Sequence, residues 1–172
     1  MTDCNNPAPL PVTGLSPLQM KHALPTAGRL AGLDLGTKTI GIALSDPLLI
    51  TATPLTTIRR TKFTKDMTLL SELVAEYEIA GLVLGLPVEM DGTEGRRCQS
   101  TRTFADNIRA LEQPISQLPI AFWDERLSTA AVERVMIDEL DMSRKKRAKT
   151  VDRNAASWIL QGFLDAIAFA DK

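Results

Sequence analysis

In the run GLDLGTKTIGIALSD, residues 32 to 46, a single carboxylate, Asp34, interrupts an otherwise apolar, strand-like stretch. An ionised carboxylate there is costly unless a cation, a hydrogen-bond network or a partner charge compensates it. Two other segments place acids beside apolar runs. FWDERLS sets Asp124 and Glu125 at a strand end, and TVDRNAAS puts Asp152 in the first turn of a final helix. Each has an ordinary explanation alone. Asp34 can bond the turn amides of GTKT, Asp152 suits the positive end of a helix dipole, and Asp124 or Glu125 can pair with Arg126. Together they form a set of hard oxygen ligands suited to one or two Mg²⁺ or Mn²⁺ ions. Two such ions about 4 Å apart activate a water and stabilise a leaving oxygen, the chemistry of phosphodiester hydrolysis.

A basic cluster lies beside the last of these acids. Arg144, Lys145, Lys146, Arg147, Lys149 and Arg153 surround Asp152 in the segment SRKKRAKTVDR. Alone, such a run reads as a solvated connector; next to an acidic metal site it can hold phosphates without reading bases. Arg126 is either a phosphate contact or the ion-pair partner of a neighbouring acid. Trp123 and Trp158 both sit in apolar patterns and read as core rather than as stacking platforms.

These groups need a scaffold, and the periodicity supplies one. RLAGLDLG, TIGIALSD and ATPLTTIRR read as three short strands in an antiparallel meander. From Phe63 to Ile79, Met67, Leu70, Leu73, Val74 and Tyr77 recur at helical spacing. GLVLGLP is a continuous apolar run, the pattern of a strand covered on both faces. DGTEGRRCQ makes a turn, Cys98 to Leu111 reads as a helix, IAFWDE as a strand, and STAAVERVMIDEL as a helix capped by Ser128. After the basic linker, Val151, Ala155, Trp158, Ile159, Gly162, Phe163 and Ala166 form one apolar helical face. The expected class is α/β: a mixed five-stranded sheet, an antiparallel three-strand meander plus parallel strands, flanked by helices. Right-handed crossovers bring GLVLGLP beside the first strand, and open sheets of this kind bind ligands at the carboxyl ends of their strands.

Composition excludes several other classes. The 172 residues are 44% hydrophobic with a net charge of −1, enough for one domain with a full core. The proline-rich residues 1–27 read as a flexible tail and 28–172 as the single domain. Cys4 and Cys98 lack metal-ligand or C-x-x-C spacing, and one histidine, His22, excludes histidine-rich metal chemistry. No run approaches the roughly 20 apolar residues of a membrane span, and the opening lacks a signal-peptide pattern. A reduced, cytoplasmic protein without a membrane role is expected.

The four motifs GLDLGTKTIGIALSD, GLVLGLPVEMDGTEG, DERLST and KKRAKTVDRNAASWIL, in that order, resemble the YqgF family, relatives of the RuvC Holliday junction resolvases. The resemblance spans about Arg29 to Ala168. It implies a ribonuclease H-like fold and a cytoplasmic, metal-dependent nuclease that processes the 5′ end of pre-16S ribosomal RNA or resolves Holliday junctions. Carried over motif by motif, Asp34, Glu125 and Asp152 are the catalytic acids and metal ligands, with Asp124 in reserve because strand alternation puts it and Glu125 on opposite faces. The implied partners are structured RNA precursors or branched DNA and the pre-ribosomal particle. A resolvase acts as a two-fold homodimer, whereas trimming one RNA end needs only a monomer. The loop departs from the family pattern, with Glu89 where Asn is frequent and Arg96 where Pro is. GLDLGTKT also resembles the first phosphate loop of actin-like and sugar-kinase ATPases, but the chain has no second glycine-rich phosphate loop. A catalytically idle nucleic-acid-binding module is the other rival.

Overall fold

The computed structural model describes residues 13–127 and 144–172, the side chains of 144–153 excepted. Five strands form one sheet: β1 (Arg29–Leu35), β2 (Thr39–Ser45), β3 (Ala52–Arg59), β4 (Ile79–Leu86) and β5 (Ile120–Asp124), in the order β3-β2-β1-β4-β5. The first three are antiparallel, while β4 and β5 run parallel to β1. This is the expected mixed sheet, with the GLVLGLP strand beside the first. Among the described residues four α-helices accompany it: α1 (Pro17–Ala23), α2 (Phe63–Glu76), α3 (Arg96–Arg109) and α4 (Arg144–Ala170). The expected Ser128-capped helix lies outside the described residues.

Period-two alternation divides the sheet into two faces. Ala31, Leu33, Ile40, Ile42, Leu82, Leu84 and Ile120 point into a core shared with Met67 and Leu70 of α2 and Phe104 and Ile108 of α3. Leu30, Ala43, Val83 and Ala121 point the other way, onto Ala156, Ile159, Leu160 and Phe163 of α4 and Met20 of α1. The α4 stripe is rotated from the expected one: Ile159 and Phe163 are buried as expected, but Ala156, Leu160, Leu164 and Ile167 complete it, while Ala155, Trp158, Gly162 and Ala166 are half-buried at its margin. Helix α4 sits very close to the sheet. A Cβ on Gly32 would come within 2.7 Å of Leu160 Cβ and 2.8 Å of the Ala156 carbonyl oxygen, so only glycine permits this approach.

The sequence expectation needs two corrections. Residues 13–27 are not a loose tail. Helix α1 starts with a capping box in which Ser16 Oγ accepts from Gln19 N and Gln19 Oε1 accepts from Ser16 N, and Met20 is fully buried against α4 and β4. Thr13 bridges to Ile120, covering the free edge of β5. The basic cluster is not a linker, because α4 already includes Arg144. Arg, Lys and Ala are strong helix formers, and Asp152 therefore stands two turns inside the helix rather than in its first turn.

Candidate active site

Asp34 is the penultimate residue of β1, opposite Gly41 of β2. It shares the parity of Leu30 and Gly32, which places it on the α4 face. The missing side chain at Gly41 leaves room there: a Cβ at that position would lie 3.6 Å from both Ala156 Cβ and Asp34 Cβ. Asp152 precedes Ala156 by one turn of α4, so the backbone brings the third expected acid to this end of the sheet.

Glu125 follows β5 directly, its amide donating to the Leu86 carbonyl at the end of β4. It shares the parity of Ala121 and Trp123 and so takes the same α4 face as Asp34. A Cβ on Gly85 would meet Glu125 Oε1 at 2.7 Å and Ile159 Cδ1 at 2.4 Å, so the Glu125 side chain lies in space that a glycine leaves open. Burial pushes the Glu125 carboxyl up to about 7, and the nearby negative charge of Asp34 adds to the rise, while Arg97 opposes it. Two carboxylates from strands that are not neighbours are thus held close enough to repel.

Asp124 takes the opposite role. Its carboxylate accepts from Arg126 Nε at 3.0 and 3.1 Å, from Nη2 at 2.6 Å and from the Arg126 amide at 3.0 Å. The Arg126 guanidinium holds its carboxyl below the usual range, against the opposing effect of burial. Of the two readings of Arg126, the structure contains the ion pair. The divided roles of this acid pair follow from strand alternation.

Among the described residues, no three His, Cys, Asp or Glu side chains gather as a metal cluster; Asp34 and Glu125 form a pair. Two half-buried, repelling carboxylates fit a divalent cation, which would relieve both the desolvation and the repulsion. The six basic residues and Asp152 all lie on the first part of α4. Trp123 packs edge-on against Phe163, with ring centroids 5.8 Å apart, in keeping with its reading as core.

The sequence reading missed Arg97 and the glycines that shape the site. Gly32, Gly41 and Gly85 sit on strands in apolar runs, where only their occurrence on the face that also carries the acids could have drawn notice. Arg97 lies in DGTEGRRC, which was read only as a turn. That turn is present: Gly92 has φ +87, and Asp91 Oδ1 accepts from Thr93 N at 2.9 Å and Thr93 Oγ1 at 2.6 Å. It delivers Arg97 to the start of α3.

Over residues 28–166 the chain matches the family described as "RuvX: Holliday junction resolvase". It is 62% identical over 146 residues to a Rhodobacter capsulatus protein named "Putative pre-16S rRNA nuclease", covering 85% of this chain and 89% of that one. A Paramagnetospirillum magneticum protein of the same name is 57% identical over 151 residues, covering 88% and 94%. Thermus thermophilus RuvC in complex with a Holliday junction substrate aligns with TM-score 0.46 and 13% identity, over 80% of this chain and 94% of that one.

Proposed function

Because this chain belongs to the RuvX Holliday junction resolvase family, we propose that it is a divalent-metal-dependent nuclease whose substrate is the 5′ region of precursor 16S ribosomal RNA. The observation that carries the reading is the Asp34–Glu125 pair, drawn from β1 and the end of β5 onto the face covered by α4, where one carboxyl is raised to about 7. Relatives at 57–62% identity that carry the pre-16S name favour RNA over branched DNA.

Asp34, Glu125 and Asp152 are the residues that would hold Mg²⁺ or Mn²⁺, one ion or two, and the bound metal supplies water activation and charge stabilisation at the scissile phosphate. The protein's own contributions are separable. Asp34 and Glu125 fix oxygen ligands on rigid strand ends. The glycine floor and α4 exclude water behind them. Arg144, Lys145, Lys146, Arg147, Lys149 and Arg153 carry positive charge along the same helix as Asp152, suited to the phosphate backbone without base reading. Arg126 orders Asp124 and reaches the Glu89 carbonyl after β4 rather than serving primarily as a phosphate contact. On this reading the protein works in the cytoplasm on the pre-ribosomal particle, where trimming one RNA end needs only a monomer and resolving a junction a homodimer.

The test is cleavage of labelled precursor ribosomal RNA and of a four-way DNA junction with Mn²⁺ or Mg²⁺, beside Asp34→Asn and Asp152→Asn. RNA cutting by wild type that falls at least a hundredfold in both variants is expected. Symmetric cutting of the junction alone would replace this reading with a resolvase acting as a dimer. Binding without cutting, unchanged in both variants, would make the chain a binding module.

A further inference from the structure

Next to the acid pair, on the other side of the β1–β2 turn, lies an open pocket of about 200 Å³ that the catalytic assignment leaves unused. Leu35, Gly36 and Thr37 of that turn form one wall, directly after Asp34; Arg97, Ser100 and Thr101 of α3 form another, and Arg60 closes a third side. Arg60 is held in place by its Nη1, which donates to the Gly36 carbonyl at 2.7 Å, leaving its other nitrogens available. Arg97 and Ser100 are exposed one turn apart on α3. The Ser100 hydroxyl donates to the Arg96 carbonyl at 3.0 Å, so the donors that α3 offers at the opening are those of the Arg97 guanidinium. Arg97 is also near enough to the acid pair to hold down the Glu125 carboxyl. The basic residues of α4 belong to a different element, so this is a separate source of positive charge.

We propose that the Arg60–Arg97 pocket holds a backbone phosphate of the substrate strand, one beside the scissile phosphate, and so sets where the strand crosses the acid pair. Two guanidiniums and the Thr37 hydroxyl match the donors that phosphate oxygens take. The side chains of Leu35, Pro87 and Phe104, which also line it, offer no hydrogen-bonding group to a base edge. The proposal rests on the nuclease reading for its substrate class, although the contact itself requires no metal.

The experiment is equilibrium binding of a fluorescently labelled structured RNA to the full chain in EDTA, so that no cleavage intervenes, across a salt series. Arg97→Ala is expected to weaken binding roughly fivefold to tenfold and to lower the slope of log affinity against log salt by about one. Arg97→Lys should recover most of the slope but less of the affinity, because a point charge replaces a fork. Lys21→Ala, on the far side of the molecule where Lys21 pairs with Asp171, should match wild type. An Arg97→Ala protein with wild-type affinity and slope would overturn the pocket while leaving the nuclease intact. Arg97-dependent binding by a wild-type protein that cuts nothing with Mn²⁺ would overturn the nuclease and leave the phosphate pocket standing.

Discussion

Replacing Glu125 with Gln removes a charge that the fold holds under strain, and the consequence depends on pH. In the unfolded chain the carboxyl ionises near 4.5, whereas in the folded protein it stays protonated to about 7. Below pH 4.5 both states are protonated and Glu125 costs nothing. Between 4.5 and 7 the unfolded chain has released a proton that the folded protein keeps, so stability falls as pH rises, and above 7 the whole penalty is present. At about 1.4 kcal/mol per unit the shift corresponds to ~3 kcal/mol, and solvent screening of this half-buried group reduces it to about 1–2 kcal/mol. The assay is urea denaturation in EDTA followed by tryptophan fluorescence from pH 4.5 to 8. Glu125→Gln should match wild type at pH 4.5 and exceed it by about 1–2 kcal/mol at pH 8. Mg²⁺ should close that gap by stabilising wild type alone. A gap that is constant across the range, or that narrows as pH rises, would refute the placement of Glu125 beside Asp34 in a desolvated site.

Asp124→Asn should keep cleavage within about threefold of wild type and cost about 0–1 kcal/mol, since it loses an exposed ion pair and not a ligand; steady-state rates with melting curves check it. Gly32→Ala drives a methyl into the Ala156 carbonyl and Leu160, and should lower stability by about 1–3 kcal/mol in thermal melts. Gly85→Ala meets the movable ends of Ile159 and Glu125, so it should melt closer to wild type yet lose at least tenfold in turnover, read by single-turnover cleavage. Ser16→Ala removes half of the α1 capping box and should cost about 1 kcal/mol by urea denaturation.

The strands were legible because their apolar runs are short, bounded by Gly, Pro or charge, and carry acids only at their ends. Parity reasoning could state that Asp124 and Glu125 diverge, but not which faced inward, since that depends on α4 packing against the β1 face that carries Leu30 and Gly32. Helix α1 went unread because seven residues bury only Met20 fully; the proline content suggested a tail, although Ser16, Pro17 at the first helical position and Gln19 spelled a helix start. The basic segment went unread for the opposite reason. Its charge drew the eye to function, while the helix-forming character of Arg, Lys and Ala pointed to backbone. Arg60 and Arg97 carried no pattern at all, because a pocket built from a turn, a strand end and a helix exists only after the sheet has closed.

The acids Asp34 and Glu125 lie on β1 and just past β5, with β4 between them, and they stand 91 positions apart in sequence. No local folding event can create the pair. The pair exists only where β4 lies between β1 and β5 and α4 packs on the face they share. Any affinity of this pair for a divalent ion would therefore belong to the finished topology and to no fragment of it. A nascent chain that has released only β1 to β4 from the ribosome therefore presents Asp34 without Glu125, and the order of the strands along the chain postpones assembly of the pair.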